Sequence, residues 1–559
     1  MPTQTTEYRF QPPRSHLYGR GQPRCEGQCL NNDPTGRRAH NPSLFRSRLS
    51  QVLANVSSYL LILDLCIAYS FPTVIIAALM DAEEGIAVNH DEASWLGSIA
   101  YIFQPLGSVM SGTIVEFFGR KWSMIIVNLP FLVGWILYSV SNSLAMLYAT
   151  NVIIGIGIGF MEAPIMTYIA ETCQPDMRAV LTSIPSVVVQ CSFFITYVMG
   201  MLTSWKTTAA INVSLPIITV IYVSQMPETP IWLLSRGRVK DAERSLCWLR
   251  GWVTPDVVKE EFSQLVKYNN STKKGAMDNN AVIQLTVLNA SEDTADLFDQ
   301  ENIDHSKPEA DQTENNTAQA NEEDSQESHC SLETWKEMLR RPTLRPLILV
   351  NTYFLVQSFG GMASIRPYMV HVFREYGMHD EAEWITVGAG VLGVIGSVTL
   401  VLTVHWLGKR LISLLCMTGN AVCCLLLGVY SYVVLYPDGV PEHQVTWMPL
   451  TLFILFFFFS STMFHVPWMM LSEVFPFRTR GIATGFSAAV CYVFLFTTSK
   501  TYLDMESTMH LHGVFFFFSA VNFFAIVFVY FRLPRMEGKS LEEIEAYFSG
   551  QNKKGFLKK

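Results

Sequence analysis

Twelve stretches of this 559-residue chain are long and apolar enough to cross a lipid bilayer: 52-80, 94-115, 123-142, 145-169, 181-203, 207-225, 344-371, 384-405, 410-435, 446-471, 482-503 and 511-531. A crossing needs about 20 predominantly apolar residues, because only a helix satisfies its own backbone inside hydrocarbon. Half of the residues are hydrophobic and 16% are charged, against about 25% charge in a soluble protein. The expectation is an all-α integral membrane protein whose partner is the lipid bilayer.

The formal net charge of -8 does not describe the membrane part. Fourteen acids lie between Asp278 and Glu327, with Lys307 the only Lys or Arg among them. That insert, about 270-330, has the polar, acidic composition of a disordered segment. The rest of the chain is mildly basic and has no basic face with interleaved aromatics, which excludes nucleic acid as a partner. Cys25 and Cys29 form a lone C-x3-C without a second ligand pair, so no metal site is expected. Nor does a Ser/His/Asp elbow or a phosphate loop stand outside the apolar runs. No catalytic residue and no cofactor are expected, and the chain is not read as an enzyme. Gly388-Ala389-Gly390-Val391-Leu392-Gly393 spells a dinucleotide fingerprint, but it lies inside a span, where glycine serves close helix packing.

Basic residues near span ends set orientation. Arg120, Lys121, Arg178, Arg236, Arg238, Lys409, Arg410, Arg478 and Arg480 fall in the even-numbered connections, whereas Asp81, Glu83, Glu84, Asp380, Glu381 and Asp438 fall in the odd ones. Both termini and the long connection should therefore be cytoplasmic. The expected layout is a disordered tail over 1-50, a six-helix bundle over 51-226, a cytoplasmic connection over 227-343, a second six-helix bundle over 344-532 and a tail over 533-559. Within the connection, amphipathic helices are expected near 236-250 and 332-339. The N-x-S/T sequons at Asn269, Asn270, Asn289 and Asn315 should be unmodified on that side.

The two sets of six spans repeat one another. Gly112, Glu116, Gly119, Arg120 and Lys121 between spans two and three are echoed by His405, Gly408, Lys409 and Arg410 between spans eight and nine. Glu171 precedes Arg178 by seven residues with Pro175 between them, and Glu473 precedes Arg480 by seven with Pro476 between them. Pro227-Glu228-Thr229-Pro230 follows span six as Leu533-Pro534-Arg535-Met536-Glu537-Gly538 follows span twelve. Three matched stations in one order point to an internal duplication.

These motifs resemble the major facilitator superfamily and, within it, the sugar porters of the insect facilitated trehalose transporter-like branch. The resemblance rests on G-T-I-V-E-F-F-G-R-K at 112-121, Y-I-A-E at 168-171, P-E-T-P-I-W-L-L at 227-234, P-W-M-M-L-S-E-V-F-P-F-R-T-R-G at 467-481 and G-K-S-L-E-E-I at 538-544. It implies the major facilitator fold of 12 transmembrane helices, two six-helix bundles around a central solute site that rock between outward-open and inward-open states. The implied function is a multi-pass plasma-membrane carrier for a small polar solute, most readily a sugar such as trehalose or a hexose, facilitated or coupled to protons. A carrier for a charged solute and a transporter-like nutrient receptor are the alternatives. Glu116, Gly119, Arg120, Lys121, Glu171, Arg178, Glu228, Lys409, Arg410, Glu473 and Arg480 form the expected cytoplasmic gating motifs, with ion pairs between the bundles as latches. One exposed ion pair contributes only about 0-1 kcal/mol, so several would have to act together.

Sugar porters grip a neutral hexose with amides and an indole, and this sequence keeps little of that set. Gln357 and Trp468 remain. Ser186, Ser358, Ala363, Gly393, Ser460 and Cys491 stand where the family has amides or acids, and Tyr492 stands for a Trp. Gln190, one turn from Ser186, substitutes for its lost amide. The expected solute contacts are Gln357, Trp468, Gln190, Glu162, Ser358 and Tyr492. Asp64, Glu162, Arg366 and His465 lie deep in spans, where ionisable groups face a cavity or a partner. By the resemblance, Asp64 falls within about one residue of the span-one acid of proton-coupled sugar porters, but the Arg that would pair with it is Asn151. Arg366 is the expected replacement partner. The alternative is an Asp64, Glu162 and Arg366 cluster that only fixes packing.

Overall fold

The computed structural model describes residues 44–80, 86–267, 269–270, 340–379, 381–435, 447–475, 480–534 and 547–548. All of them fall in one compact unit, Pro42–Lys559. Among the described residues there are helices and no strands. The first six spans are Leu44–Met80, His90–Phe118, Arg120–Val140, Leu144–Thr172, Val180–Leu202 and Trp205–Gln225. Span seven is bent by 48° between Arg341–Phe359 and Met362–Glu375, where the sequence suggested one run. Gly361 makes the break with φ 112, a backbone region that glycine enters without steric cost. Spans eight to ten are Ala382–Val404, Trp406–Val434 and Trp447–Leu471.

The last apolar helix, Ile482–Arg532, is 51 residues long. At 1.5 Å per residue that is about two and a half times the hydrocarbon thickness. It is interrupted at His510, φ 56, and so supplies spans eleven and twelve, completing twelve crossings. Around the outside, Val109, Trp406 and Phe531 are 75%, 89% and 75% exposed. On a chain with this many apolar helices such side chains are the lipid-facing surface.

Small residues let the spans touch. A Cβ at Gly155 or Gly159 of span four would stand 2.4 Å from Ala100 O or 2.1 Å from Gln104 O of span two, so only glycine permits that backbone contact. Span two begins in the capping box that its sequence spells. Glu92 N donates to Asn89 Oδ1 at 2.9 Å, and Asn89 N donates to Glu92 Oε2 at 3.0 Å. Between the bundles, span one packs on seven, two on eleven and five on eight.

Span one starts at Leu44, ahead of the boundary expected at residue 50. Its polar first turns are held by the neighbouring segments: Ser50 Oγ donates to Leu249 O at 2.8 Å and Ser47 Oγ to Gln174 Oε1 at 3.3 Å. In the connection, the amphipathic helix runs Val239–Leu249 and packs beside Pro230–Ser235. The tail before residue 44, the 270-330 insert, the 332-339 helix and most of the tail after 534 lie outside the described residues.

Candidate functional site

The motif end is built around Gly119. Its φ of 90 and ψ of 173 start span three, and the repeat-related Gly408 has φ 76 and ψ 155 at the start of span nine. The duplication is thus present in the backbone as well as in the sequence. Glu228 Oε1 accepts from Arg120 N at 3.0 Å and Thr229 N at 2.9 Å, and its Oε2 accepts from Lys121 N at 3.0 Å. A carboxylate at a helix N-terminus satisfies orphan N–H groups and meets the positive end of the dipole. Burial nevertheless outweighs these hydrogen bonds and pushes the Glu228 carboxyl up from its usual value.

Arg120 Nη2 lies 2.6 Å from Glu171 Oε1, and Lys121 Nζ donates to Ser224 O at 2.6 Å. The carboxylate of Glu116 is on an exposed residue, while its carbonyl accepts from Arg236 Nη2 at 2.7 Å. Arg410 Nη2 donates to Tyr530 O at 2.6 Å, and Lys409 is buried. Among the described residues, the partners of Arg120 and Arg410 lie within their own bundles. The reason is local: Glu171 and Arg120 both sit at the junction of spans two to four, within reach of each other. The side chains of Arg178, Glu473 and Arg480 lie outside the described residues.

At the opposite end the bundles meet directly. Thr73 Oγ1 donates to Arg366 O at 2.8 Å, Ser94 Oγ to Lys500 O at 2.6 Å and Ser499 Oγ to Gly97 O at 3.0 Å. Lys500 Nζ returns a bond to Ser94 Oγ at 2.9 Å and lies 4.9 Å from the Trp95 ring.

Midway between these ends lie the deep polar residues, and they do not form one cluster. Asp64 is fully buried, and its Oδ1 accepts from Trp135 Nε1 of span three at 2.8 Å, while Oδ2 has no partner. Asn151 instead accepts from Tyr138 OH at 2.8 Å. Glu162 bridges the bundles, accepting from Ser108 Oγ at 2.6 Å and from Tyr492 OH. Arg366 reaches neither acid. It is 3% exposed and stacks on Phe193, Phe464 and Tyr69, with Cζ 4.0, 5.4 and 5.7 Å from the ring centroids. Its replacement of the missing span-four Arg is therefore not realised, because span seven presents it to an aromatic wall.

Of the expected solute contacts, Gln357 and Ser358 are buried with Gln357 Oε1 and Ser358 Oγ unpartnered. Gln190 Nε2 is 3.5 Å from His465 Nε2, at the outer limit of a hydrogen bond. A Cβ on Gly393 would meet Gln190 Oε1 at 2.6 Å, so the glycine of span eight makes room for that amide. Trp468 packs edge-on against Phe354 at 5.1 Å and tilted against Tyr492 at 6.4 Å. Sequence reasoning passed over Trp135, Ser108, Gln104 and the aromatic wall. Trp135 had a signal, since an indole N–H inside a span needs an acceptor.

The comparisons with known proteins agree with this architecture. The family model described as sugar (and other) transporter matches residues 67–291 and 285–548. A facilitated trehalose transporter, Tret1, of Polypedilum vanderplanki is 25% identical over 512 residues, covering 91% of this chain and 90% of the relative. That of Apis mellifera ligustica is 24% identical over 463 residues, covering 83% and 81%. The partially occluded inward-open conformation of the xylose transporter XylE from E. coli aligns with a TM-score of 0.62 at 16% identity, covering 89% of this chain and 100% of that one. The proton:xylose symporter XylE bound to 6-bromo-6-deoxy-D-glucose aligns with a TM-score of 0.60 at 16% identity, covering 90% and 99%. Twelve spans in two repeated bundles, the Gly119 and Gly408 stations and the span of the family match lead to one conclusion: the chain is a multi-pass membrane protein belonging to the sugar (and other) transporter family.

Proposed function

We propose that this protein carries a small hydroxylated solute, a sugar such as trehalose or a hexose in the first instance, across the plasma membrane by alternating access. The observation that carries the reading is a set of buried polar atoms without protein partners in spans two and seven, Gln357 Oε1, Ser358 Oγ and both amide atoms of Gln104, in a chain of two repeat-related bundles joined at one end. Buried polar groups are normally hydrogen-bonded, and an arriving solute supplies what these lack. Gln357, Ser358, Gln190, Glu162, Trp468 and Tyr492 are the proposed contacts. The excess of basic residues beside the Gly119 motifs supports a cytoplasmic position for them and for both termini. On that orientation the joined end is extracellular. The Arg120–Glu171 pair and the Glu228 cap hold the N-terminal half of the gate.

Uptake of labelled trehalose and glucose into transport-deficient cells expressing the chain tests this. Saturable uptake above vector control supports the carrier reading, and its absence at normal surface expression refutes it for these sugars. A second reading, proton coupling, rests on Asp64 and its unpartnered Oδ2. Stimulation of uptake by outside acid that disappears in Asp64→Asn supports it, and pH-independent uptake refutes it.

A further inference from the structure

The Arg366 guanidinium makes no hydrogen bond and no ion pair, and its Nε and Nη1 are fully enclosed. Both acids deep in the spans are engaged elsewhere, Asp64 by Trp135 and Glu162 by Ser108 and Tyr492. The groups within reach of the Arg366 charge are Cys66, Tyr69, Tyr101, Tyr197 and His465. None of them is a carboxylate. Stacking on Phe193 and Phe464 holds the cation by its face and leaves its edge, where the N–H groups are, unpaired. A buried charge without a counter-ion is strongly unfavourable, so the free protein holds one unit of positive charge that a ligand can neutralise.

We propose that the central site takes a small organic anion bearing hydroxyls, a sugar acid, with its carboxylate on the Arg366 guanidinium and its hydroxyls toward Tyr197 and His465. This rests on the carrier reading and narrows its substrate class. Neutral hexoses leave the cation uncompensated, whereas a hexonate or hexuronate pairs it through charge-assisted hydrogen bonds.

The test uses the purified full-length chain, with melting temperature titrated against D-gluconate, D-glucuronate, D-glucose and chloride at matched ionic strength. The expected result is saturable stabilisation by the sugar acids at concentrations at least about tenfold below those needed for glucose, with chloride unable to reproduce it. Arg366→Leu should abolish that stabilisation, Arg366→Lys should retain part of it, and ligand-free Arg366→Leu should melt no lower than the parent because it removes an unpaired buried charge. Equal stabilisation by glucose and gluconate, equal stabilisation by chloride, or an Arg366→Leu protein that still binds the acids would overturn the proposal. Binding of the acids without uptake of any solute into vesicles sinks the carrier reading and leaves this one standing. Glucose uptake unchanged by Arg366→Leu, with no acid bound, does the reverse.

Discussion

Around Gly119, Glu228 accepts from the backbone N–H groups of Arg120, Lys121 and Thr229, Arg120 pairs with Glu171, and Lys121 ends on a carbonyl. Around Arg366, more deeply buried, the guanidinium has no hydrogen-bond or ionic partner, and Gln357 Oε1 and Ser358 Oγ earlier in the same span also lack one. Both regions are polar and built at helix breaks. One meets its charges within itself, leaving Glu171 Oε2 and Thr229 Oγ1 as its atoms without partners, and acts as structure. The other has spare valence, which is the physical mark of a place where something else binds.

Substitution can break or sharpen this contrast. The largest effect is expected from Gly119→Val. Its side chain meets positive φ, Glu228 Oε2 at 2.6 Å and Trp232 at 3.1 Å from the Cβ, and loses on the order of 2-3 kcal/mol. Melting temperature and surface expression should both fall, whereas Gly112→Ala, with nothing within 4 Å, should leave them unchanged. Next comes Trp135→Phe, which deprives the fully buried Asp64 of its donor and should cost about 1-3 kcal/mol. Adding Asp64→Asn should recover a good part of that loss, and a double-mutant melting series without recovery would mean that the two side chains are not coupled.

Gly393→Ala pushes only the end of Gln190, a flexible side chain. It should leave the melting temperature within about 1 kcal/mol of the parent while lowering solute uptake several-fold. Equal losses of both would place Gln190 in the closed class rather than the open one. The smallest effect concerns Glu228. Its folded carboxyl titrates above the ordinary 4.5, so the stability it contributes is full below that value and is lost as pH rises through the folded one. The melting temperature of the parent relative to Glu228→Gln should therefore improve as pH falls toward 5. A flat difference between pH 5 and 8 would show that the hydrogen bonds offset burial.

The spans and their duplication were legible because hydrocarbon imposes a length and the repeat preserves Gly119 beside Gly408. The capping box of span two, Asn89 with Glu92 one turn on, was a local signal that the sequence reading passed over. The centre was not legible. Asp64, Glu162 and Arg366 suggested an ion cluster, yet each turns to a different neighbour. Their directions depend on helix rotation, which sequence spacing does not encode across separate spans. The indole that serves Asp64 stands 71 residues away, and no local pattern links the two. The start of span one at Leu44 was equally hidden, because its polar turns are held by Gln174 and Leu249 from distant segments.

Arg366 lies just past the Gly361 break, in the second half of span seven, and its carbonyl is fastened to Thr73 of span one while its side chain looks into the centre. One residue therefore reports to two places. A partner that draws the guanidinium toward itself loads the same peptide that Thr73 holds at the far entrance, five residues past the Gly361 break. Loading of the centre and loosening of that entrance are then a single mechanical event, and a molecule that fills the centre without gripping Arg366 would occupy the protein and leave the door where it was.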